Sequence, residues 1–425
     1  MAGGGRPGEA RTAARGRNAW FARLDYPLAP YYLILGSTVA LVVVGLVMVL
    51  SSSSVESLRE TEMHSSFAYF SKQALFAVVG LPAAWIASRL TVPTWRRLSW
   101  VMLAGTTVLL CLVPFIGIEV GGNKNWIVIG GFTLQPSETA KFALLVWAAS
   151  VLSAKHQLLG SVSHALIPVL PVAGVLLLLI LVGRDLGTAM ILMGIVFGVV
   201  FVAGAPLRTF AVLGLGALAT VAVLVTTSEN RMNRVTSWLS GTETQNYYGS
   251  EWQSIHGAFA LASGGWWGVG LGGSKEKWLW LPEAHNDFIF AIIGEDLGLP
   301  GTLSVLGLFG LLGLGLMRLV VSTDDLFVQI ATGGVLLWVV GQAVVNIGAV
   351  IGMFPVIGVP LPLVSSGGSA LVMTMIALGM VLGFARRVPG APEALTSGSG
   401  VVRRSLAVLP RRQGFSATRH RAGRP

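Results

Sequence analysis

The chain has 425 residues, of which 53% are hydrophobic and only 11% are charged, and its formal net charge is +10. A soluble protein of this length carries about twice that share of charge, so no polar shell can cover this composition and lipid must be the solvent for most of the chain. The basic excess does not point to nucleic acid, because it is concentrated at the two termini and in short loops, the pattern of cytoplasmic flanks on a membrane protein.

Residues 1–28 are polar and Arg-rich and read as a cytoplasmic tail. The first apolar run is about twenty residues long, which reads as a retained anchor rather than a cleavable signal peptide. Ten apolar runs follow one another, roughly at 30–51, 67–88, 98–117, 137–154, 163–182, 186–204, 208–226, 288–317, 327–350 and 367–385. Each approaches or exceeds the roughly 20 residues that a helix needs to cross the hydrocarbon. The expected fold is therefore an all-α polytopic membrane protein with ten transmembrane helices spread over residues 29–387. The eighth run contains Gly294, Gly298, Pro300 and Gly301 and should bend. With the N-terminus inside, the inner segments hold 20 of the 29 basic residues, so both termini are expected in the cytoplasm. The single cysteine, Cys111, excludes a disulfide framework within the chain.

Each ionisable group in a span costs about 2.5–3.5 kcal/mol on insertion scales and so needs a reason. Under this topology most of them gather at the outer-leaflet level. Lys72 lies near the outer start of span two. The helix entry with Pro136 in its first turn carries Glu138, which complements the positive helix end, and Lys141 three residues on. A capping device with a local ion pair explains most of that pattern. Arg184 and Asp185 form the turn between spans five and six. An extracytoplasmic loop at about 227–286 holds six of the thirteen tryptophans, Trp238, Trp252, Trp266, Trp267, Trp278 and Trp280. They read either as an aromatic belt at the headgroups or as a stacking surface for sugars or isoprenoid. Within the loop, Ile255, Phe259 and Ala262 before Gly264 predict a short helix with a glycine stop.

The stretch Leu281-Pro-Glu-Ala-His-Asn-Asp-Phe-Ile-Phe is the richest in chemistry. If helical, it puts Glu283 and Asp287 on one face, and Ala291, Gly294 and Gly298 continue that face as small residues that admit a neighbouring helix. Asp287 would then look into a crevice, as a general base or as a structural partner of Lys72, Lys141 or Lys275. Before span ten, Ser365, Ser366 and Gly367 offer hydroxyls and amides at a helix N-terminus, where phosphate can bind. The tail at 388–425 is basic, poor in large apolar residues, and expected to be disordered in the cytoplasm.

Together these segments resemble the SEDS family (shape, elongation, division and sporulation proteins) over nearly all of residues 30–387. The motifs that carry the resemblance are Asn125-Trp126-Ile127 with Gln135-Pro-Ser-Glu138, Asp185-Leu-Gly-Thr188, Trp252-Gln253-Ser254, Gly268-Val-Gly-Leu-Gly272, the stretch from Leu281 to Phe290, and Ser365-Ser-Gly-Gly-Ser369. The division branch of the family fits better than the elongation branch, on the run Ala291-Ile-Ile-Gly-Glu-Asp-Leu-Gly298 and the basic terminal extensions. Three positions depart from the usual pattern: Asn125 where Arg is common, Arg184 where Pro is common, and Val356-Ile357 where some members carry a polar or basic residue before Gly358.

The resemblance implies a multi-pass protein of the inner membrane at the division septum. It implies an inverting peptidoglycan glycosyltransferase that polymerises lipid II beside a class B penicillin-binding protein transpeptidase, other divisome proteins and membrane lipid. Asp287 matches the family's essential aspartate and is the expected catalytic residue, acting as base or as ligand of a divalent cation, Mg²⁺ or Mn²⁺. The expected substrate-binding set is Lys72, Trp126, Glu138, Lys141, Asp185, Gln253, Lys275, Lys277, Glu283, His285, Ser365, Ser366 and Gly367. The alternatives are a lipid II flippase, which would need a polar path through both leaflets, an elongation-type polymerase, and a scaffold that borrows its partner's activity.

Overall fold

The computed structural model describes residues 27–60, 65–120, 123–130, 132–240, 252–278 and 280–391. The two terminal tails lie almost wholly outside these residues. Thirteen helices are described: α1 (Ala29–Glu60), α2 (Ala68–Arg89), α3 (Val92–Ile116), α4 (Pro136–Ala154), α5 (Val162–Leu166), α6 (Val169–Val182), α7 (Leu186–Val202), α8 (Leu207–Thr226), α9 (Glu229–Ser240), α10 (Trp252–Gly264), α11 (Ile289–Ser322), α12 (Leu326–Val350) and α13 (Gly368–Ala385). All ten apolar runs fall on helices. Helices α1, α2, α3, α8, α11, α12 and α13 are long and apolar enough to cross a membrane by length and composition, and α6 and α7 are shorter apolar helices. The run at 163–182 is split, because Pro168 cannot donate the amide that a continuous helix needs.

The expectation of an all-α fold needs one correction. Between α3 and α4 the chain forms an antiparallel three-stranded sheet, β1 (Ile118–Val120), β2 (Asn123–Ile129) and β3 (Phe132–Leu134), in the order β1-β2-β3. The β-branched run Ile127-Val128-Ile129 favours a strand. Gly130, with φ 58°, supplies the left-handed turn into β3.

Helix α4 is buried along nearly its whole length, and α12 and α13 along most of theirs. Without a hydrophobic difference between lipid and side chain, such helices hold together by close packing. Gly379 and Gly383, one turn apart on α13, sit so close to Ala84 and Ser88 of α2 that a Cβ would fall within 2.5 Å of the opposing backbone. By contrast, α8 buries only Thr209 and turns Leu215 and Leu218 outward.

Helix α11 runs for 34 residues, about 51 Å at 1.5 Å per residue, well beyond a hydrocarbon core of about 30 Å. It breaks at Gly298, whose φ of 65° and ψ of −157° no helix contains. The bend expected from sequence is there. The segment ahead of it, from Ile289 to Asp296, is buried inside the protein.

Candidate functional site

The Leu281–Phe290 stretch is not helical before Ile289, and this corrects the shared-face reading of Glu283 and Asp287. Pro282 and a left-handed Glu283 (φ 56°) fold the chain into a turn instead. The carbonyl of Glu283 accepts from the amides of Asn286 (3.0 Å) and Phe288 (3.2 Å). The small-residue stripe does admit a neighbour: a Cβ on Gly264 of α10 would lie 1.9 Å from the carbonyl oxygen of Gly294.

Two other segments hold this turn. The amide nitrogen of Asn346, buried on α12, donates to the carbonyls of Asp287 (2.8 Å) and Val359 (2.7 Å). The Ser365 hydroxyl donates to the carbonyl of Asn286 (2.6 Å) and accepts from the amide of Leu361 (2.8 Å). The Ser366 amide reaches the carbonyl of His285 at 3.0 Å. Gln73 of α2 closes the frame, donating to Ser365 (3.0 Å) and accepting from the Gly367 amide (3.2 Å). Ser365, Ser366 and Gly367 thus do converge on the Asp287 turn, but the Ser365 hydroxyl and the Ser366 and Gly367 amides are engaged in stitching segments together.

The result is a small cavity of about 10 Å³ lined by Asp287, Phe288, Asn346, Ala349, Val350 and the 356–359 segment, about the room of a single water. Among the described residues, Oδ1 of Asp287 and Oδ1 of Asn346 are both buried there without a donor. Gly358, in the left-handed region at φ 71°, brings the chain against the carboxylate; a Cβ there would stand 3.4 Å from Oδ2. Burial pushes the Asp287 carboxyl up to about 7, and Glu283 and Asp185 add to the rise while Arg234 and His285 oppose it. Arg234 is an exposed residue of α9 whose guanidinium donates to the carbonyl of Val356 at 3.3 Å. His285 lies 2.7 Å from a Glu56 oxygen and packs on Tyr69 at 4.6 Å.

The remaining expected site residues divide by what they do. Lys141 is fully buried, paired with Glu138 at 2.7 Å, bonded to Gln342 at 3.1 Å and set over the Trp338 ring. Gln342 donates in turn to the carbonyl of Pro360 (2.8 Å). This pair supports the crevice from one turn away along α12 and does not face it. Asp185 caps α7 through the Thr188 amide (3.0 Å), and its other oxygen accepts from Asn125, Gln135 and Ser137. Lys72 and Lys275 are exposed, while Trp126 and Gln253 are half-buried. Lys277 is buried; that burial pulls its ammonium down, although Asp296 and Glu295 pull the other way. Among the described residues, no three His, Cys, Asp or Glu side chains converge as a metal site. A cation at Asp287 would need most of its ligands from outside the protein, which is how Mg²⁺ is commonly held.

Reasoning from sequence missed Gln73, Asn346, Gln342, Glu56 and Arg234. Gln342 and Asn346 did leave a signal, since two amides one turn apart in an apolar span need partners. A larger cavity, about 1160 Å³, lies elsewhere, between α5 and the start of α8, and no carboxylate lines it.

A polytopic helical bundle with long apolar helices and a carboxylate set in a polar crevice defines an integral membrane protein. Residues 32–388 match the model of the cell cycle protein family that groups FtsW, RodA and SpoVE, and the chain belongs to that family. It is 40% identical over 394 residues to the probable peptidoglycan glycosyltransferase FtsW of Mycobacterium tuberculosis, covering 92% of this chain and 74% of the relative. It is 35% identical to the stage V sporulation protein E of Bacillus subtilis, over 84% of this chain and 97% of the relative. Among solved structures, one described as the structural coordination of polymerization and crosslinking by a peptidoglycan synthase complex superposes with a TM-score of 0.68. It is 27% identical over 83% of this chain and 97% of that one. The rod shape determining protein RodA of Thermus thermophilus gives 0.59 at 28% identity, over 84% and 97%. The family resemblance read from the motifs holds.

Proposed function

We propose that this chain is a peptidoglycan glycosyltransferase that polymerises lipid II at the outer face of the cytoplasmic membrane, during septal wall synthesis, beside a class B penicillin-binding protein. The observation that carries the reading is Asp287 Oδ1, a buried carboxylate oxygen without a donor among the described residues, in a group pushed up to about 7. A general base works best when its pKa lies near the operating pH. The outer face follows from the charge distribution, which keeps both tails inside.

In this mechanism the acceptor sugar's hydroxyl donates its proton to Asp287 while its oxygen attacks the anomeric carbon of the donor. The bond to pyrophosphate breaks from the opposite face, and the electron pair leaves with the isoprenoid pyrophosphate. Arg234, with the exposed Lys72 and Lys275, supplies positive charge for the leaving group. In the alternative role, Asp287 would hold a divalent cation, Mg²⁺ or Mn²⁺, with the substrate phosphates, and the cation would supply that neutralisation instead.

The test is polymerisation of lipid II by the purified chain with its transpeptidase partner. Asp287→Ala should fold normally and make no polymer above background. Polymerisation at the parent rate by that variant would end this assignment.

A further inference from the structure

The loop that carries Asp287 is closed at its base by an acidic pair that the mechanism above does not use. Pro300 has no N–H, so the carbonyl of Asp296 loses its helical partner four residues on. At the Gly298 break the Leu299 amide turns away to the carbonyl of Gly265 (3.2 Å), which frees the carbonyl of Glu295 as well. The two released carbonyls capture the amides of the returning chain: Val269 donates to Glu295 O (2.9 Å) and Gly270 to Asp296 O (3.0 Å).

The two carboxylates extend the same seam. Asp296 accepts from the amide of Ser274 on Oδ1 (3.1 Å) and from the amide of Gly272 on Oδ2 (3.3 Å), where the Ser51 hydroxyl of α1 also donates. Glu295 accepts from the amide of Lys275 on Oε1 at 2.7 Å. Gly268 lies against this seam in the left-handed region (φ 75°), where a Cβ would stand 2.2 Å from Asp296 O. From the seam the chain is handed on to the turn. The Leu281 amide bonds to the carbonyl of Glu276 (2.9 Å), Glu276 lies 2.6 Å from His256 of α10, and Gly257 of α10 seats the Phe288 ring. On the other side, two turns of buried helix separate Asp287 from Glu295.

We propose that Glu295 and Asp296 are positioning residues for Asp287: they close the neck of residues 269–296 and so fix where the intervening turn holds its carboxylate. This rests on the reading of Asp287 as the catalytic base. The chemistry distinguishes the two acids. Asp296 needs both oxygens as acceptors, and an amide there would turn N–H groups toward N–H donors. Glu295 takes the Lys275 amide on Oε1 with the Glu276 amide and the Ser263 hydroxyl beside it; a glutamine carbonyl still accepts from the amides, and its NH2 can donate to the Ser263 hydroxyl.

The experiment uses the full chain with its partner in nanodiscs, measuring lipid II turnover and trypsin cleavage after Lys275 and Lys277. Asp296→Asn should speed cleavage there and lower kcat about tenfold or more, since small misplacements of a reacting group are costly, with KM within about twofold. Glu295→Ala should do the same more mildly, and Glu295→Gln should restore parental behaviour. Unchanged cleavage in both Asp296→Asn and Glu295→Ala would overturn the neck. Faster cleavage at parental kcat, or a change confined to KM, would overturn the positioning role. If Asp296→Asn does not fold, Glu295→Ala against Glu295→Gln carries the same decision. Failure of the underlying reading is seen separately, as an active Asp287→Asn variant, while the cleavage arm still reports on the neck.

Discussion

Two carboxylates sit in turns at the same end of this bundle and have opposite fates. Asp185 caps α7 and accepts from Thr188, Asn125, Gln135 and Ser137, so both of its oxygens are spent on architecture. Asp287 is gripped through its carbonyl, by Asn346, and among the described residues its Oδ1 has no donor. The difference is one of strategy. A carboxylate that ties three segments together is silent chemically, whereas one whose backbone is clamped and whose side chain is left unsatisfied is available to a substrate. An unsatisfied buried polar atom costs about 1–3 kcal/mol, and natural proteins keep such costs mainly where function needs them.

The comparison breaks most clearly at Asp287 itself. Asp287→Asn should lower kcat by about 10²–10⁴-fold, the usual worth of a general base, measured as lipid II turnover. Stability should move the other way. The folded carboxyl is raised from 3.8 to about 7, so its ionisation opposes folding. That cost is absent below pH 4, grows up to about pH 7 and persists above it. The variant should therefore melt higher than the parent at pH 8 and alike at pH 4, and equal melting at pH 8 would contradict the burial argument.

A third carboxylate sharpens the contrast. Glu138 is matched by Lys141 in the dry interior of α4. Removing one partner of such a pair costs about 3–5 kcal/mol, whereas an apolar replacement of both is far milder. Lys141→Met should destabilise strongly, and Glu138→Leu with Lys141→Met should recover much of the loss. If the double variant is stable but has lost affinity for lipid II, the pair contacts substrate after all. Asp185→Ala comes next, with a loss of about 2–4 kcal/mol from the missing cap and side-chain bonds. Its mark should be a lowered Tm in a thermal melt at neutral pH.

Sequence reasoning located the apolar helices because apolar length is a one-dimensional property, and it singled out Asp287 because charge at a membrane entrance is conspicuous. It read Glu283 and Asp287 as neighbours on a helix because it had no way to see that Pro282 and a left-handed Glu283 make a turn. It grouped Lys141, Asp185 and Asp287 as one site because all three are charged at one level. Which of them is free depends on partners far away in sequence, such as Gln342 for Lys141 and Gln135 for Asp185. Arg234 was invisible for the same reason: only the fold brings α9 over the 356–359 segment.

The smallest expected effects are the most diagnostic of the crevice, because they act on Asp287 without touching it. If the ionised Asp287 is the working base, turnover should have an acid limb near pH 7, falling about tenfold per pH unit below it. Glu283 raises the Asp287 carboxyl and Arg234 lowers it. Glu283→Gln should therefore shift the limb to lower pH, and Arg234→Gln should shift it to higher pH. Both side chains are exposed, so each shift should stay below about one unit and shrink at high salt, where exposed charges are screened. Turnover against pH at low and at high ionic strength checks both signs. Asp185→Asn, by the same field, should displace the limb downward only slightly, since Asp185 ranks last among the groups that act on Asp287. A limb that moved more for Asp185→Asn than for Glu283→Gln would mean that the architectural carboxylate, and not the exposed one, governs the base.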